Sequence, residues 1–272
     1  MWIESEFRSS QGYVFRVSHK VSQLTSERGT VVFLHGWGDH SGRYRPLADR
    51  LSQLGFTVVL PDFIGHGRSE GPRARVNVFN VLIEDLKLLL EQKPVSTPVI
   101  LHGHSMGGCL AFHYALAYPD QVERLIFNSA ALGVSQQIPA WKKLMAKWLG
   151  LLLPNIPLLA LKNSQLMTSV QTEQRRYMED GLIYHGRIEP ATGWALLQAN
   201  RFCENNLGQL RHPFLLLQGC DDKLVCLQAG RKLYSLRQDP RSMFAEFNAR
   251  HDLLHDDCAA QVMEKIERWL LG

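Results

Sequence analysis

Gly103-His104-Ser105-Met106-Gly107 has the form G-x-S-x-G. It follows the apolar run Val99–Leu101 and precedes a helical pattern over Gly108–Tyr118. A serine in such a strand–turn–helix context is a nucleophile candidate, because small neighbours let strand and helix pass closely. Its hydroxyl would stand at a helix N-terminus, where free N–H groups favour a developing anion. A serine hydroxyl needs a general base, and the base needs an orienting carboxylate. Where the nucleophile comes first in the chain, acid and base follow at the ends of later strands. The run Phe214–Leu217 leads into Asp221-Asp222, and Met243–Phe247 leads into Asn248-Ala249-Arg250-His251. Asp222 is preferred over its neighbour Asp221. His251 is preferred over His255, since it comes straight after the strand. The chemistry these residues can perform is acyl transfer through a covalent intermediate.

Acyl transfer develops a negative oxygen that needs two convergent N–H donors. The backbone N–H of Met106, next to the serine, is one candidate. The turn His35-Gly36-Trp37-Gly38, after the run Val31–Leu34, supplies the other at Trp37. Asp62-Phe63-Ile64-Gly65-His66-Gly67-Arg68-Ser69 reads as a structural turn, with His66 a much weaker base candidate. His102 and His104 flank Gly103 with no carboxylate pair nearby, so no metal is expected there. No cofactor is expected either.

The elements that must position these residues alternate. Short apolar runs at Tyr13–Val17, Val31–Leu34, Thr57–Leu60, Val99–Leu101, Leu125–Phe127, Phe214–Leu217 and Met243–Phe247 read as strands, several buried on both faces. Leu47, Ala48, Leu51 and Leu54 keep helical spacing up to Gly55. Val78, Val81, Leu82, Leu86, Leu89 and Leu90 do so up to Pro94, and Val262, Ile266, Trp269 and Leu270 mark a last helix. The order predicts an α/β fold with a mainly parallel central sheet and helices on both faces. Between about Ser135 and Leu210 the alternation stops. That block reads as a helical insertion, 135–208, between two parts of a core formed by 1–134 and 209–272. Its first half, with Trp141, Leu144, Met145, Trp148, Leu149 and Leu151–Leu153, is too apolar for a solvated loop.

Composition bounds the remaining possibilities. The 272 residues are 45% hydrophobic and 21% charged, which fits a globular chain rather than a disordered one. The net charge of +4 forms no basic block, which argues against nucleic acid as a partner. Met1-Trp2-Ile3-Glu4-Ser5-Glu6 lacks the basic and apolar regions of a secretory signal. Trp148–Leu161 is interrupted by Gly150, Pro154, Asn155 and Pro157 and falls short of the ~20 residues that span a bilayer. The five cysteines form no C-x-x-C pair. An odd set of this kind fits a reducing compartment, so a cytoplasmic location is expected.

His35-Gly-Trp-Gly-Asp-His-Ser-Gly-Arg-Tyr44, Asp62-Phe-Ile-Gly-His-Gly-Arg-Ser-Glu-Gly71 and Gly103-His-Ser-Met-Gly-Gly108 resemble the monoacylglycerol lipases and their lysophospholipase-like relatives among the α/β-hydrolases. The resemblance continues through Leu182-Ile-Tyr-His-Gly186, Pro213–Gly219 with Asp222, and Ala249-Arg-His251-Asp-Leu-Leu. It implies the α/β-hydrolase fold, a triad of Ser105, Asp222 and His251, and oxyanion donors at Trp37 and Met106. It also implies that the insertion is a cap over an acyl pocket, able to touch a membrane surface transiently. The expected substrate is a lipid ester, with monoacylglycerol first. Lysophospholipase, general carboxylesterase and thioesterase activities stay open, as does a remote non-catalytic binding role on the same fold.

Overall fold

The computed structural model describes residues 2–92, 95–134, 141, 148–150, 152–154, 156 and 164–272. In chain order its elements are β1 (Trp2–Arg8), β2 (Val14–Lys20), β3 (Gly29–Leu34), α1 (Arg45–Gln53), β4 (Phe56–Asp62), α2 (Phe79–Gln92), β5 (Val99–His104), α3 (Met106–Ala117) and β6 (Arg124–Asn128). There follow α4 (Ser164–Met167), α5 (Gln171–Glu179), α6 (Pro190–Asn206), β7 (Phe214–Gly219), α7 (Leu227–Ser235), β8 (Met243–Phe247) and α8 (Ala259–Leu271).

The strands form one eight-stranded sheet in the order β1-β2-β4-β3-β5-β6-β7-β8. From β4 to β8 every pairing is parallel, while β1 and β2 add an antiparallel edge. All seven expected strands are present. β1 was not expected: its Glu4, Ser5 and Glu6 break the apolar pattern, because an edge strand buries little. The helix α7 was not expected either. It is short, and only Ala229, Gly230 and Leu233 are buried.

Alternation along each strand divides the core in two. Val32, Leu34, Leu101, Phe127 and Leu216 point to one face, where α2, α3, α6 and α7 pack. Val31, Phe33, Ile100, Ile126 and Leu217 point to the other, where α1 and α8 pack. Adjacent residues of a strand face opposite sides. A central strand with helices on both faces is therefore apolar throughout, and β3, β5 and β7 are buried at every position. Each such Val, Leu or Ile contributes about 1.5–3 kcal/mol through burial.

Between β6 and β7 the described residues form α4, α5 and α6. Ser135, Leu144, Met145 and Leu151, and residues 155 and 157–161 of the apolar stretch Trp148–Leu161, lie outside the described residues. Trp141, Trp148, Leu152, Leu153 and Ile156 are exposed.

Candidate active site

The chain runs from β3 outward to β4 and then returns past β3 to β5. This reversal opens a crevice at the carboxyl ends of β3 and β5, the position where open α/β sheets bind ligands. Leu34, the last residue of β3, is in register with Gly103 of β5. The His35–Gly38 turn and the Ser105 turn therefore emerge side by side.

Ser105 joins β5 to α3 at φ 53° and ψ −116°, a backbone region that side chains rarely adopt. Such a conformation costs about 1–3 kcal/mol and persists only where the surroundings impose it. Here tight packing imposes it. A Cβ at Gly107 would overlap the carbonyl of Leu34, and one at Gly103 would overlap the carbonyl of Gly107. The Ser105 N–H donates to Asn128 O (3.1 Å), and the N–H groups of Gly108 and Ala131 donate to Ser105 O, each at 3.0 Å. Met106 opens α3 and is buried.

The neighbouring turn is held by its own histidine. His35 is fully buried, and its Nε2 accepts from Phe63 N (3.0 Å) while Nδ1 donates to Gly36 O (2.8 Å). Burial lowers its pKa, so the neutral ring is the stable form. Gly36 lies against Ser105: a Cβ there would sit 3.3 Å from the Ser105 Cβ. The indole of Trp37 donates to Ala74 O at 2.7 Å, which pins the turn from the outside. From the β6–β7 segment, Tyr184 N donates to Gly38 O (2.8 Å) and the Tyr184 ring meets Trp37 edge-on.

Asp222 and His251 follow β7 and β8, which pair in parallel with Gly219 opposite Phe247. His251 Nδ1 lies 2.7 Å from Asp222 Oδ2, and both side chains are buried. Asp222 Oδ1 accepts from Leu224 N (2.8 Å) and Val225 N (3.2 Å). Burial alone would raise the Asp222 carboxyl. The partner His251 and the two amides outweigh it and hold the pKa below the ordinary value. An ionised carboxylate only accepts, so the ring donates from Nδ1, and in its neutral form the lone pair is on Nε2. The His251 ring is 4.9 Å from that of His104, the residue before Ser105. Burial, with His251 nearby, pushes the His104 pKa down to about 4.

The alternatives from the sequence lie elsewhere. Asp221 is exposed and accepts from Lys223. His255 Nδ1 lies 2.9 Å from Asp252, which also accepts from Arg43 Nη2 at 2.6 Å. Asp62 accepts from the amides of Ser41 (2.7 Å) and Arg68 (2.8 Å), and His66 donates to Ile64 O (2.8 Å). These contacts make the Asp62–Ser69 segment a tied turn, as expected. The Arg43 network was missed by sequence reasoning. It joins Asp39 and Tyr44, near the His35 turn, to Asp252, which lies 209 residues from Arg43, too far for either to suggest the other.

Residues 25–257 match the Hydrolase_4 family, described as serine aminopeptidase, S33. Human monoglyceride lipase is 34% identical over 243 residues, covering 87% of this chain and 80% of that protein. The monoacylglycerol lipase of Mycolicibacterium smegmatis is 26% identical, covering 91% and 90%. The crystal structure of Paleococcus ferrophilus monoacylglycerol lipase superposes with a TM-score of 0.84 at 28% identity, covering 94% of this chain and 98% of that one.

Proposed function

The chain belongs to the Hydrolase_4 family and to its monoacylglycerol lipase-like α/β-hydrolases, and from that membership we propose a serine-dependent cleavage of monoacylglycerol. Ser105 attacks the ester carbonyl while His251 Nε2 takes its proton. Asp222 fixes the tautomer of His251 and stabilises the imidazolium. The amides of Trp37 and Met106 hold the oxyanion. His251 then protonates the leaving glycerol and, in the second half-reaction, activates the water that releases the fatty acid. The observation that carries this reading is the His251–Asp222 contact of 2.7 Å beside the strained Ser105 turn.

We assign residues 135–208 as a cap over the acyl chain, supported by the Tyr184 contact with Gly38 and by the ion pair of Arg75 with Glu189. Each buried CH₂ of an acyl chain contributes about 0.8 kcal/mol. Exposed Trp148, Leu152, Leu153 and Ile156 support transient contact of the cap with a lipid surface. Among the described residues, no helix is long and apolar enough to cross a membrane. Five free thiols support a reducing, cytoplasmic setting.

The test is fatty-acid release from a long-chain monoacylglycerol, with Ser105→Ala beside the wild type. The expected result is a loss of several orders of magnitude in kcat. Turnover that survives the substitution overturns the role of Ser105. An enzyme that takes an organophosphonate on Ser105 yet releases no fatty acid keeps the hydrolase and discards the glycerol head group.

A further inference from the structure

One group of reactive side chains stands outside the proposed reaction. Cys109 and His113 lie four residues apart on α3, so they share one helix face. Cys203 reaches them from α6, and its Sγ is 3.5 Å from that of Cys109. The two sulfurs and a ring nitrogen of His113 lie within 4.8 Å of one another. Both cysteines are fully buried, and His113 is 9% exposed. Phe202 stacks on the imidazole at 4.4 Å and Phe79 flanks it at 5.0 Å.

We propose that Cys109, His113 and Cys203 form a binding site for a thiophilic d10 metal ion, Zn(II) or Cu(I), that braces the Ser105 helix against α6. Three features support it. The donor set is the one that such ions prefer, two thiolates and an imidazole. The ring is already oriented: His113 Nε2 donates to Ala199 O at 3.1 Å, so the neutral ring's lone pair is on Nδ1. Metal-binding histidines characteristically donate their other N–H to a carbonyl or carboxylate in this way. Lastly, the spacing fits. An ion about 2.3 Å from each sulfur would subtend an S–M–S angle of roughly 100° across the observed gap. A disulfide would need the sulfurs to close to about 2.05 Å.

Binding Zn(II) replaces two thiol protons, which leave to solvent, and the two thiolates cancel its charge. An interior site favours that neutral outcome. Cu(I) is instead satisfied by three donors, at the cost of one residual negative charge. Cys109 lies one turn after Ser105, and its N–H donates to Ser105 O at 3.2 Å. The ion would therefore sit one to two turns along α3 from Ser105.

The experiment uses the full chain, reduced with a phosphine. Zn(II) is titrated against a chromophoric chelator and Cu(I) against bicinchoninate. One equivalent of one ion is expected, with release of two protons if the ion is Zn(II). Free ion at 100 times Kd should lower the unfolded fraction about 100-fold, read as a rise in Tm. X-ray absorption of the loaded protein should show two sulfur ligands and at least one nitrogen. Cys203→Ala should abolish tight binding, whereas Cys220→Ala, at an exposed thiol, should not. If Cys203→Ala does not fold, the wild-type stoichiometry and ligand set decide alone. Uptake of neither ion, a ligand set without two sulfurs, or unchanged binding in a folded Cys203→Ala overturns the proposal. So does a Cys109–Cys203 disulfide formed with peroxide in a protein that takes up no ion, which would make the two thiols a redox pair.

Discussion

Two histidines four residues apart, His251 and His255, each meet an aspartate, and the two pairs differ in what surrounds them. His251 and Asp222 meet at 2.7 Å, His255 and Asp252 at 2.9 Å. Both aspartates are ionised, against the pull of burial. At Asp222 the compensation comes from His251 and two main-chain amides. At Asp252 it comes first from Arg43, whose guanidinium is buried between Asp252 and Asp39. The first pair holds the His251 ring through Nδ1 beside the Ser105 turn, while the second adjoins the buried Arg43–Asp39–Asp252 network. A His–Asp contact is not by itself a general base. What else holds the aspartate distinguishes the two: main-chain amides at Asp222 and a buried guanidinium at Asp252.

Asp222→Asn should break the first pair most severely. Replacing the carboxylate of a Ser-His-Asp triad by an amide removes about 10⁴ from kcat. A matching fall in monoacylglycerol turnover is expected, with the fold retained by circular dichroism; a loss below tenfold would take Asp222 out of the mechanism. Arg43→Met tests the second pair. It leaves Asp39 and Asp252 buried without their cation, and breaking such a network costs about 3–5 kcal/mol. Urea denaturation should show that loss, and a change below 1 kcal/mol would make the network dispensable.

The histidines of β5 sharpen the contrast, because they have no carboxylate partner of this kind. Burial pushes His102 down to about 3 and His104 down to about 4. Below pH 6.5 the unfolded chain takes up protons that these folded rings refuse, so stability falls with pH. Each ring contributes a slope of about 1.4 kcal/mol per unit. Asp222 and Asp252, with pKa values held below the ordinary 3.8, release their contribution only at lower pH. His102→Leu should flatten the stability profile between pH 6 and 4.5 by about one proton; an unchanged slope would mean that folded His102 titrates normally. The smallest effect belongs to Asp221→Asn. Its exposed pairing with Lys223 contributes little, so kcat/KM should stay within about twofold, and a large loss would reopen the choice between the two aspartates.

Local chemistry made much of this legible. G-x-S-x-G after an apolar run specifies a tight strand–helix turn, because its glycines are sterically required where α3 meets the end of β3. The period-2 and period-3.6 patterns located the buried strands and helices α1, α2 and α8, since burial on a sheet or helix face imposes those periods; α6 was read only as part of a helical insertion. β1 escaped because an edge strand can be mostly polar, and α7 because a short helix with three buried residues leaves too weak a pattern.

The sequence by itself determined the central strands, the Ser105 turn and the strand ends from which an acid and a base would come. Each depends on residues close together along the chain. Only the tertiary structure decided that His251 takes Asp222 while His255 takes Asp252, that Arg43 ties Asp39 to Asp252, and that Cys203 meets Cys109. The His251–Asp222 contact is set by how β7 pairs with β8, and the Cys203–Cys109 contact by how α6 crosses α3. The pairing of strands and packing of helices are collective results of burying the whole core, and no short stretch of residues carries them.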